Sequence, residues 1–234
     1  DGTFNSKVGS LQLSTAQLPP KATKTLTVTA NLDAAATTPS QPWDPQNPGA
    51  TSNLSTSMTT YDSLGKAHAV DVYFRKLSDG NWETHAIAKG DDLAGGTAGQ
   101  NVEIGTGTMK FDASGALTDV TWSKQPSASF TGAKPNQDFK IDFGKPTSQG
   151  GTGLDGTTNF GSTSAVSAQS QDGYASGDLA GVKIDSDGVV SGVYSNGQTV
   201  AAGKIAVAKF RSNEGLAKSG QNVWTATRDS GEAA

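Results

Sequence analysis

In several short stretches of this chain apolar and polar residues alternate strictly, and this pattern restricts those stretches to β-strands. One is 24–32, KTLTVTANL, where the apolar residues Leu26, Val28, Ala30 and Leu32 share one face and Thr25, Thr27 and Thr29 lie on the other. A period of two is that of a β-strand with one buried face, whereas an amphipathic helix needs a period of about 3.6 residues. The stretches 70–74 and 139–143 repeat the pattern, with Val70, Val72 and Phe74 in the first. The sequence therefore predicts strands in all three places.

Turn residues separate several strand-like stretches at hairpin spacing. Asp62-Ser-Leu-Gly65 lies between 57–61 and 70–74, and Asp112-Ala-Ser-Gly115 divides the stretch 109–122. Asp, Ser and Gly favour turns because their side chains bond to nearby backbone or because Gly accepts positive φ. These patterns predict two hairpins. Another turn at 78–81 precedes a predicted strand at 82–87.

The last third of the chain predicts a three-stranded meander. Asp187-Gly188 and Asn196-Gly197 separate strands through Val182 and Ile184, through 189–194, and through Ile205 to Phe210. Both dipeptides favour two-residue type I′ turns, whose two central residues need positive φ. Helix is scarce: the best candidate, 213–218, is interrupted by Gly215. The predicted fold class is all-β, with little helix.

Composition supports short strands and excludes several classes of protein. Gly, Ala, Ser and Thr make up 110 of the 234 residues, the net charge is −4, and cysteine is absent. Disulfides and thiolate metal sites are thereby excluded. The acidic balance argues against nucleic acid, whose binding requires clustered Lys and Arg. No apolar run approaches the length of a membrane-spanning helix, so no membrane partner is predicted.

Two low-complexity segments suggest that one domain is inserted into another. Residues 34–53 contain four prolines around Trp43, and residues 144–163 are rich in Gly, Ser and Thr. Proline stops helices and removes sheet donors, so we interpret both segments as crossings between domains. The prediction is a discontinuous inner β domain, 1–35 with 165–234, and an inserted outer β domain, 36–164. Residues 90–107 are polar, Gly-rich and left without an assignment.

Two glycine motifs resemble ligand loops without their structural context. Gly151-Thr-Gly153-Leu-Asp-Gly156 fits G-x-G-x-x-G, but no helix follows to hold a pyrophosphate, which favours a flexible linker. Asp185-Ser-Asp187-Gly188 fits the middle of a calcium loop, yet Lys183 and Tyr194 occupy two of its ligand positions. A β-turn is favoured there.

His68 and His85 are the two histidines of the chain, and without cysteine they supply too few nitrogen or sulfur ligands for a structural zinc site. We expect both to be solvated strand residues. A Ser-His-Asp arrangement stays open by counting, although no nucleophile motif supports it. The glycosylation-like triplet Asn53-Leu-Ser55 carries no weight in a chain this rich in Ser and Thr. No catalytic, cofactor-binding or metal-binding residues are predicted, and no cofactor.

The four tryptophans have two interpretations. They can stack on sugar rings in a β-sandwich lectin, or they can supply buried area to a core that is poor in Leu and Ile. Packing is favoured, with Trp43 in its proline-rich segment as the expected exception. The others are Trp82, Trp122 and Trp224.

Five segments in the last third of the chain carry a family resemblance. They are Ser170-Gln-Asp-Gly-Tyr-Ala-Ser-Gly-Asp-Leu179, Ile184-Asp-Ser-Asp-Gly188, Tyr194-Ser-Asn-Gly-Gln-Thr199, Gly203-Lys-Ile-Ala-Val-Ala-Lys-Phe210 and Gly220-Gln-Asn-Val-Trp224. In these segments the chain resembles the bacterial flagellar hook protein family. The closing segment is shared by other axial proteins. The hairpin around Tyr61-Asp-Ser63, with Trp82 behind it, is similar to the hook protein's inserted outer domain.

The resemblance implies a structural subunit and not an enzyme. It implies a flexible curved tube, the hook, that couples rod to filament and transmits torque as a universal joint. The implied partners are other copies of the chain, the distal rod protein, the hook cap protein and the hook–filament junction protein. The implied location is the extracellular hook, reached without a cleaved signal peptide. Neither end has a heptad pattern, so we expect a truncated, monomeric subunit that lacks the terminal polymerisation helices.

Two other classes of function stay open. A carbohydrate-binding or adhesin-type β module requires exposed tryptophans that line one groove. A β-fold hydrolase requires a pocket that joins His68 or His85 to an acidic residue and a serine.

Overall fold

A computed structural model describes Gly9, Leu11 and residues 16–233. Almost all regular structure in these residues is β, as predicted. The strands are β1 Thr25–Asn31, β2 Leu54–Tyr61, β3 Ala67–Ser78, β4 Asn81–Lys89, β5 Asn101–Phe111, β6 Leu117–Lys124, β7 Ser127–Ala128, β8 Gln137–Asp138, β9 Lys140–Asp142, β10 Ala165–Gln171, β11 Leu179–Ile184, β12 Val189–Tyr194, β13 Thr199–Lys204, β14 Ala217–Gly220 and β15 Val223–Thr225. Helix in the described residues is limited to the turn α1, Pro48–Thr51, and two 3₁₀ turns, Gly90–Asp92 and Thr147–Gln149.

A five-stranded antiparallel sheet, in the order β2-β3-β4-β5-β6, is the largest element of the fold. The two predicted hairpins, β2–β3 and β5–β6, are confirmed, as is the strand at 82–87. In β3 every second side chain from His68 to Lys76 is buried, so one face of the strand lies in the core. Trp82, Phe74 and Met109 are among its fully buried side chains. Because aromatic rings bury large areas, they compensate for the scarcity of Leu and Ile.

A three-stranded sheet, in the order β10-β1-β9, completes this core. β1 pairs antiparallel with β10 and parallel with β9. The predicted alternation is confirmed, because Leu26, Val28 and Ala30 are buried and the threonines between them are half-buried. The predicted stretch 139–143 supplies Phe139, Ile141 and Phe143 to the same core.

Strand β5 runs through residues that the sequence left unassigned. Gly105 and Gly107 weaken its strand pattern, yet both are required where they lie. A Cβ on Gly105 would meet Pro126 Cγ at 2.7 Å, and one on Gly107 would meet Trp122 Cε3 at 2.9 Å. These glycines admit neighbouring side chains against the backbone, which is a common role of glycine inside a strand.

Three hairpins turn on the same five-residue pattern, Asp-x-x-Gly-x, at Asp62, Asp112 and Asp185. In each, one carboxylate oxygen accepts the N–H groups two and four residues later, at distances of 2.8–3.1 Å. The glycine three residues after the aspartate has a φ of 78–82°. The turn between β11 and β12 is thus built on Asp185, and Asp187 is not among the described residues with positive φ. The predicted type I′ geometry at Asp187-Gly188 is wrong for this reason, and it is also wrong at Asn196-Gly197, because Asn196 has no positive φ either.

A smaller unit contains the predicted meander, β11-β12-β13, and the hairpin β14–β15. The third strand ends at Lys204, so the prediction that it runs through Ile205 to Phe210 is wrong. Residues 213–216 form a turn that leads into β14, which begins at Ala217, so the helix considered for 213–218 does not form.

The contacts between residues divide the chain into two units, and the boundaries lie at other positions than the predicted domain crossings. The larger unit is Pro19–Ser176, and the smaller one joins Gly177–Ala234 to the residues up to Leu18. β1 and β10 fall in the larger unit because they pair with each other, and β1 also with β9. That residues 36–164 form a separate inserted domain stays a prediction. Most of 1–15 lies outside the described residues. No described helix is long and apolar enough to cross a membrane.

Candidate functional site

His68, on β3, is buried, and the expectation of a solvated residue is wrong. Its Nε2 lies 3.1 Å from Asp62 Oδ2, and its Nδ1 lies 3.5 Å from Asp92 Oδ1. The ring stacks on Phe130 at a centroid distance of 3.9 Å. Burial opposes ionisation of Asp62, but hydrogen bonds from His68 and from the backbone of Lys66 and Leu64 outweigh it and lower the pKa of this carboxyl.

His85, on β4, is also buried and also paired with acids. Its Nδ1 lies 2.7 Å from Glu103 Oε1, and Nε2 lies 3.6 Å from Glu83 Oε2. Trp43 covers the imidazole with a ring stacked at 3.9 Å and donates its indole N–H to the same Glu103 oxygen, at 2.9 Å. Burial, and then the charge of Asp71, raise the pKa of Tyr73, whose ring also contacts Trp43. Trp43, the predicted exception to packing, is therefore half-buried and packs on the His85 ring.

The sequence missed the acidic partners of both histidines. Glu103 lies in the stretch left unassigned, and Asp62 and Asp92 lie in turns. Within the described residues neither histidine bonds to a serine hydroxyl, and neither lines the cleft described below. The same residues contain no group of three or more acidic or histidine side chains placed to hold a metal ion. The contacts around His68 and around His85 are therefore those of side chains that pack within the fold.

The proline-rich segment is attached to the five-stranded sheet and does not leave the larger unit. Lys76 is buried, and its Nζ donates to the carbonyl of Ala34 at 2.6 Å and pairs with Asp79. Asn53 donates to the carbonyl of Thr37 and accepts the backbone N–H of Lys76. We call residues 34–53 the strap. It was predicted to be a crossing because proline excludes regular structure, but side-chain bonds anchor it.

The two glycine motifs have structural roles in the backbone. The carboxylate of Asp185 is used by the N–H groups of Asp187 and Val189, which supports the predicted turn. The segment 151–156 is packed and not the predicted free linker: Gly153 accepts the N–H of Leu117, and a Cβ on Gly156 would lie 2.1 Å from the Phe143 oxygen. Close approach of two backbones explains a glycine there.

The tryptophans divide between core and surface. Trp82 is fully buried, which confirms packing, while Trp122 is half-buried and Trp224 is 51% exposed. Trp122 lines a cleft of about 750 Å³ in the larger unit. Trp224, in β15, lies in the smaller unit under the ammonium group of Lys218. Packing is therefore the wrong interpretation for Trp224.

Three aliphatic side chains on one face of the smaller unit's sheet are exposed, while Val190 on the same face is buried. Val182 and Val200 lie on either side of Gly192 in the strand register, and Ile184 follows Val182 on the same face. All three are 41–57% exposed. Soluble proteins rarely leave contiguous apolar surface uncovered unless it binds something, so this face is a candidate interaction surface.

Known proteins are similar to this chain over most of its length. Residues 31–174 match the family model described as the flagellar basal body protein FlaE D2 domain. The flagellar hook protein FlgE of Escherichia coli is 34% identical over 91% of this chain and 49% of its own, and the Salmonella typhimurium protein is equally similar. FlgE of Helicobacter pylori is 34% identical over 76% of this chain and 24% of its own. The chain spans about half the length, or less, of these relatives.

Among solved structures, the crystal structure of Helicobacter pylori flagellar hook protein FlgE2 covers 73% of this chain and 36% of its own, with 21% identity and a TM-score of 0.49. The family model, by contrast, matches more than half of this chain and spans the whole five-stranded sheet of the larger unit. The chain belongs to the flagellar hook protein family, and it contains that family's D2 domain.

Proposed function

We propose that this chain is part of a structural subunit of the flagellar hook. The observation that carries the proposal is the family match across 31–174, the part of the chain that supplies most of the described core. In this role the larger unit is a compact building block and performs no catalysis. The tube it helps to form couples rod to filament and transmits torque.

The proposed partners are other copies of the same subunit, with the distal rod, hook cap and hook–filament junction proteins at the ends of the tube. The apolar face of Val182, Ile184 and Val200 supports a packing role for the smaller unit, because exposed aliphatic side chains gain from burial at about 25 cal/mol per Å². The proposed location is outside the cell, reached by export without signal-peptide cleavage.

Immunogold electron microscopy tests the proposal. Antibodies raised against the 234-residue chain should decorate the short curved segment between rod and filament in flagella isolated from the source bacterium. Preimmune serum is the control. Gold that follows the long filament, or that is found only on the cell body, contradicts a hook subunit.

A further inference from the structure

The cleft in the larger unit has a polar floor. Thr27 and Thr29 line it from β1, on the face opposite the buried Leu26 and Val28. Asp142 pairs in parallel register with Thr27, and Lys140 belongs to the same strand and also lines the cleft. The floor is thus a sheet face that carries hydroxyl, carboxylate and ammonium groups, which both donate and accept hydrogen bonds.

One wall of the cleft carries an aromatic ring in a fixed position. Trp122, on β6, lies opposite Gly107 of β5, where a Cβ would come within 2.9 Å of the indole. The ring is also roughly parallel to that of buried Phe143, at 19° and a centroid distance of 6.1 Å. Because its neighbours fix the indole, little side-chain entropy remains to be lost when a ligand packs against it.

Two carboxylates at the cleft are held in place by the backbone. Asp142 accepts the N–H of Gly144 at 3.1 Å and the Lys140 ammonium at 3.1 Å, and Asp155 accepts the N–H of Lys145 at 3.2 Å. Each carboxylate has further lone pairs for a ligand. The cleft therefore presents oriented acceptors beside an aromatic surface.

The charges, polarity and volume of the cleft determine which class of ligand it can bind. Three aspartates and two lysines line the cleft, so a strongly charged ligand of either sign meets repulsion as well as attraction. The polar floor disfavours a lipid. The threonine floor is a sheet face, which an added peptide strand does not use. Because β6 and β9 are edge strands, a peptide that pairs with their backbone is the competing occupant, and the test below includes it. A volume of about 750 Å³ lies within the usual range for small-molecule sites.

We propose that this cleft binds a short neutral oligosaccharide. One pyranose ring packs its apolar C–H face on the indole of Trp122, and its hydroxyls bond to Asp142, Asp155 and the threonine floor. This activity goes beyond the structural role proposed above and does not depend on it.

Nuclear magnetic resonance titration of the 234-residue chain tests the proposal. The probes are cellotetraose, maltotetraose, mannotetraose and chitotetraose. At least one should shift the Trp122 indole N–H and the amides of β9 in a saturable way, with a Kd of about 1 mM or tighter. Trp122→Ala and Asp155→Ala should each weaken binding about ten-fold or more. Trp122→Phe, which keeps an aromatic ring, should retain part of the affinity.

The matched control is Trp224→Ala, which removes an exposed tryptophan of the smaller unit and should leave the affinity unchanged. Asp155 is exposed in a loop, so its variant keeps the test valid if Trp122→Ala fails to fold. The proposal is overturned if none of the four probes gives a saturable shift, or if binding persists unchanged in the Asp155 variant. It is also overturned if a blocked Thr-Val-Thr-Val peptide shifts the β6 amides while the saccharides shift nothing.

Discussion

Asp172 joins the start of β1 to the end of β10 through its carboxylate. One oxygen accepts the N–H groups of Lys24 and Thr25, and the other pairs with Lys21. Burial opposes ionisation, yet these bonds outweigh it and lower the pKa of the carboxyl. A group whose pKa is depressed in the folded state stabilises it above the unfolded pKa of about 4, and that contribution disappears as pH falls through the folded pKa.

Asp172→Asn should therefore lower stability at pH 7 and not at low pH. We expect a loss of about 1 kcal/mol, at the low end for a charged hydrogen bond because a third of the side chain is exposed. Urea unfolding from pH 7 down to pH 2 measures it. The two proteins should converge as pH falls below about 4. A constant difference across this range contradicts a role for the charge.

Gly105→Ala tests the reason for glycine in β5. Its Cβ would meet the ring and the Cα of Pro126 at 2.7–2.9 Å, so the strand must shift. We expect a loss of about 1–3 kcal/mol, as for other overpacked sites. Gly161→Ala is the matched control, since no atom lies within 4 Å of its Cβ and its φ is not positive. Equal stability of the two variants, measured by thermal unfolding, contradicts the packing argument.

Single residues also show what the sequence could not predict. Alternation placed Leu26 and Val28 in the core, because their periodicity directly reflects one buried face. The burial of His68 and His85 depends on acids 6 to 24 positions away in turns and on another strand, and no local pattern encodes that pairing. The Asp-x-x-Gly-x turns, however, recur visibly in the sequence and were available as a signal.

At the scale of elements, the strap shows how irregular backbone is held by side chains. Trp43 attaches its centre to Glu103 and His85, while Lys76 attaches its start through Ala34. Prolines removed every periodic signal from this segment, so the sequence indicated a passage between domains. Tertiary bonds to a sheet decide its position, and they join residues about 40 to 60 apart in the chain.

Trp43→Ala should release the strap from the sheet. We expect a loss of about 1–3 kcal/mol, because the variant removes the stacked ring and the hydrogen bond to Glu103. Limited proteolysis at neutral pH should cleave within 34–53 faster than in the parent chain. Trp43→Phe, which keeps a ring over His85, should give intermediate protection. Identical cleavage rates in all three proteins contradict the anchoring role.

The two glycine-rich stretches differ for a physical reason. In β5 the glycines make room for Pro126 and Trp122, and in 151–156 they allow one backbone to approach another. By composition alone both stretches resemble linkers. Composition shows that the glycines have no side chains, but it does not show which neighbouring groups occupy the space beside them. The cleft was equally hidden, since it joins residues from β1, β6 and β9.

At the scale of the whole molecule, the hydrophobic core belongs to one unit. Every member of the main buried cluster lies between Leu26 and Phe143, whereas the smaller unit buries Val190 and exposes most of its other aliphatic strand residues. Since core burial is the main source of stability, the larger unit should hold most of it.

The segment Pro19–Ser176, expressed alone, should therefore fold. Its Tm should lie within about 4 °C of the main transition of the parent chain, which corresponds to about 1 kcal/mol or less for a domain of this size. Circular dichroism and amide dispersion measure the result. A segment that shows no cooperative transition would contradict the division of the core.

A cryo-electron microscopy reconstruction of the native hook, at a resolution that separates strands, tests the central claim most directly. We predict that each subunit contains the five-stranded sheet β2–β6 packed with the sheet of β10, β1 and β9, and that Trp82 and Phe74 lie in the core that these sheets share. Subunit density that cannot accommodate these two sheets would contradict the assignment of this chain to the hook.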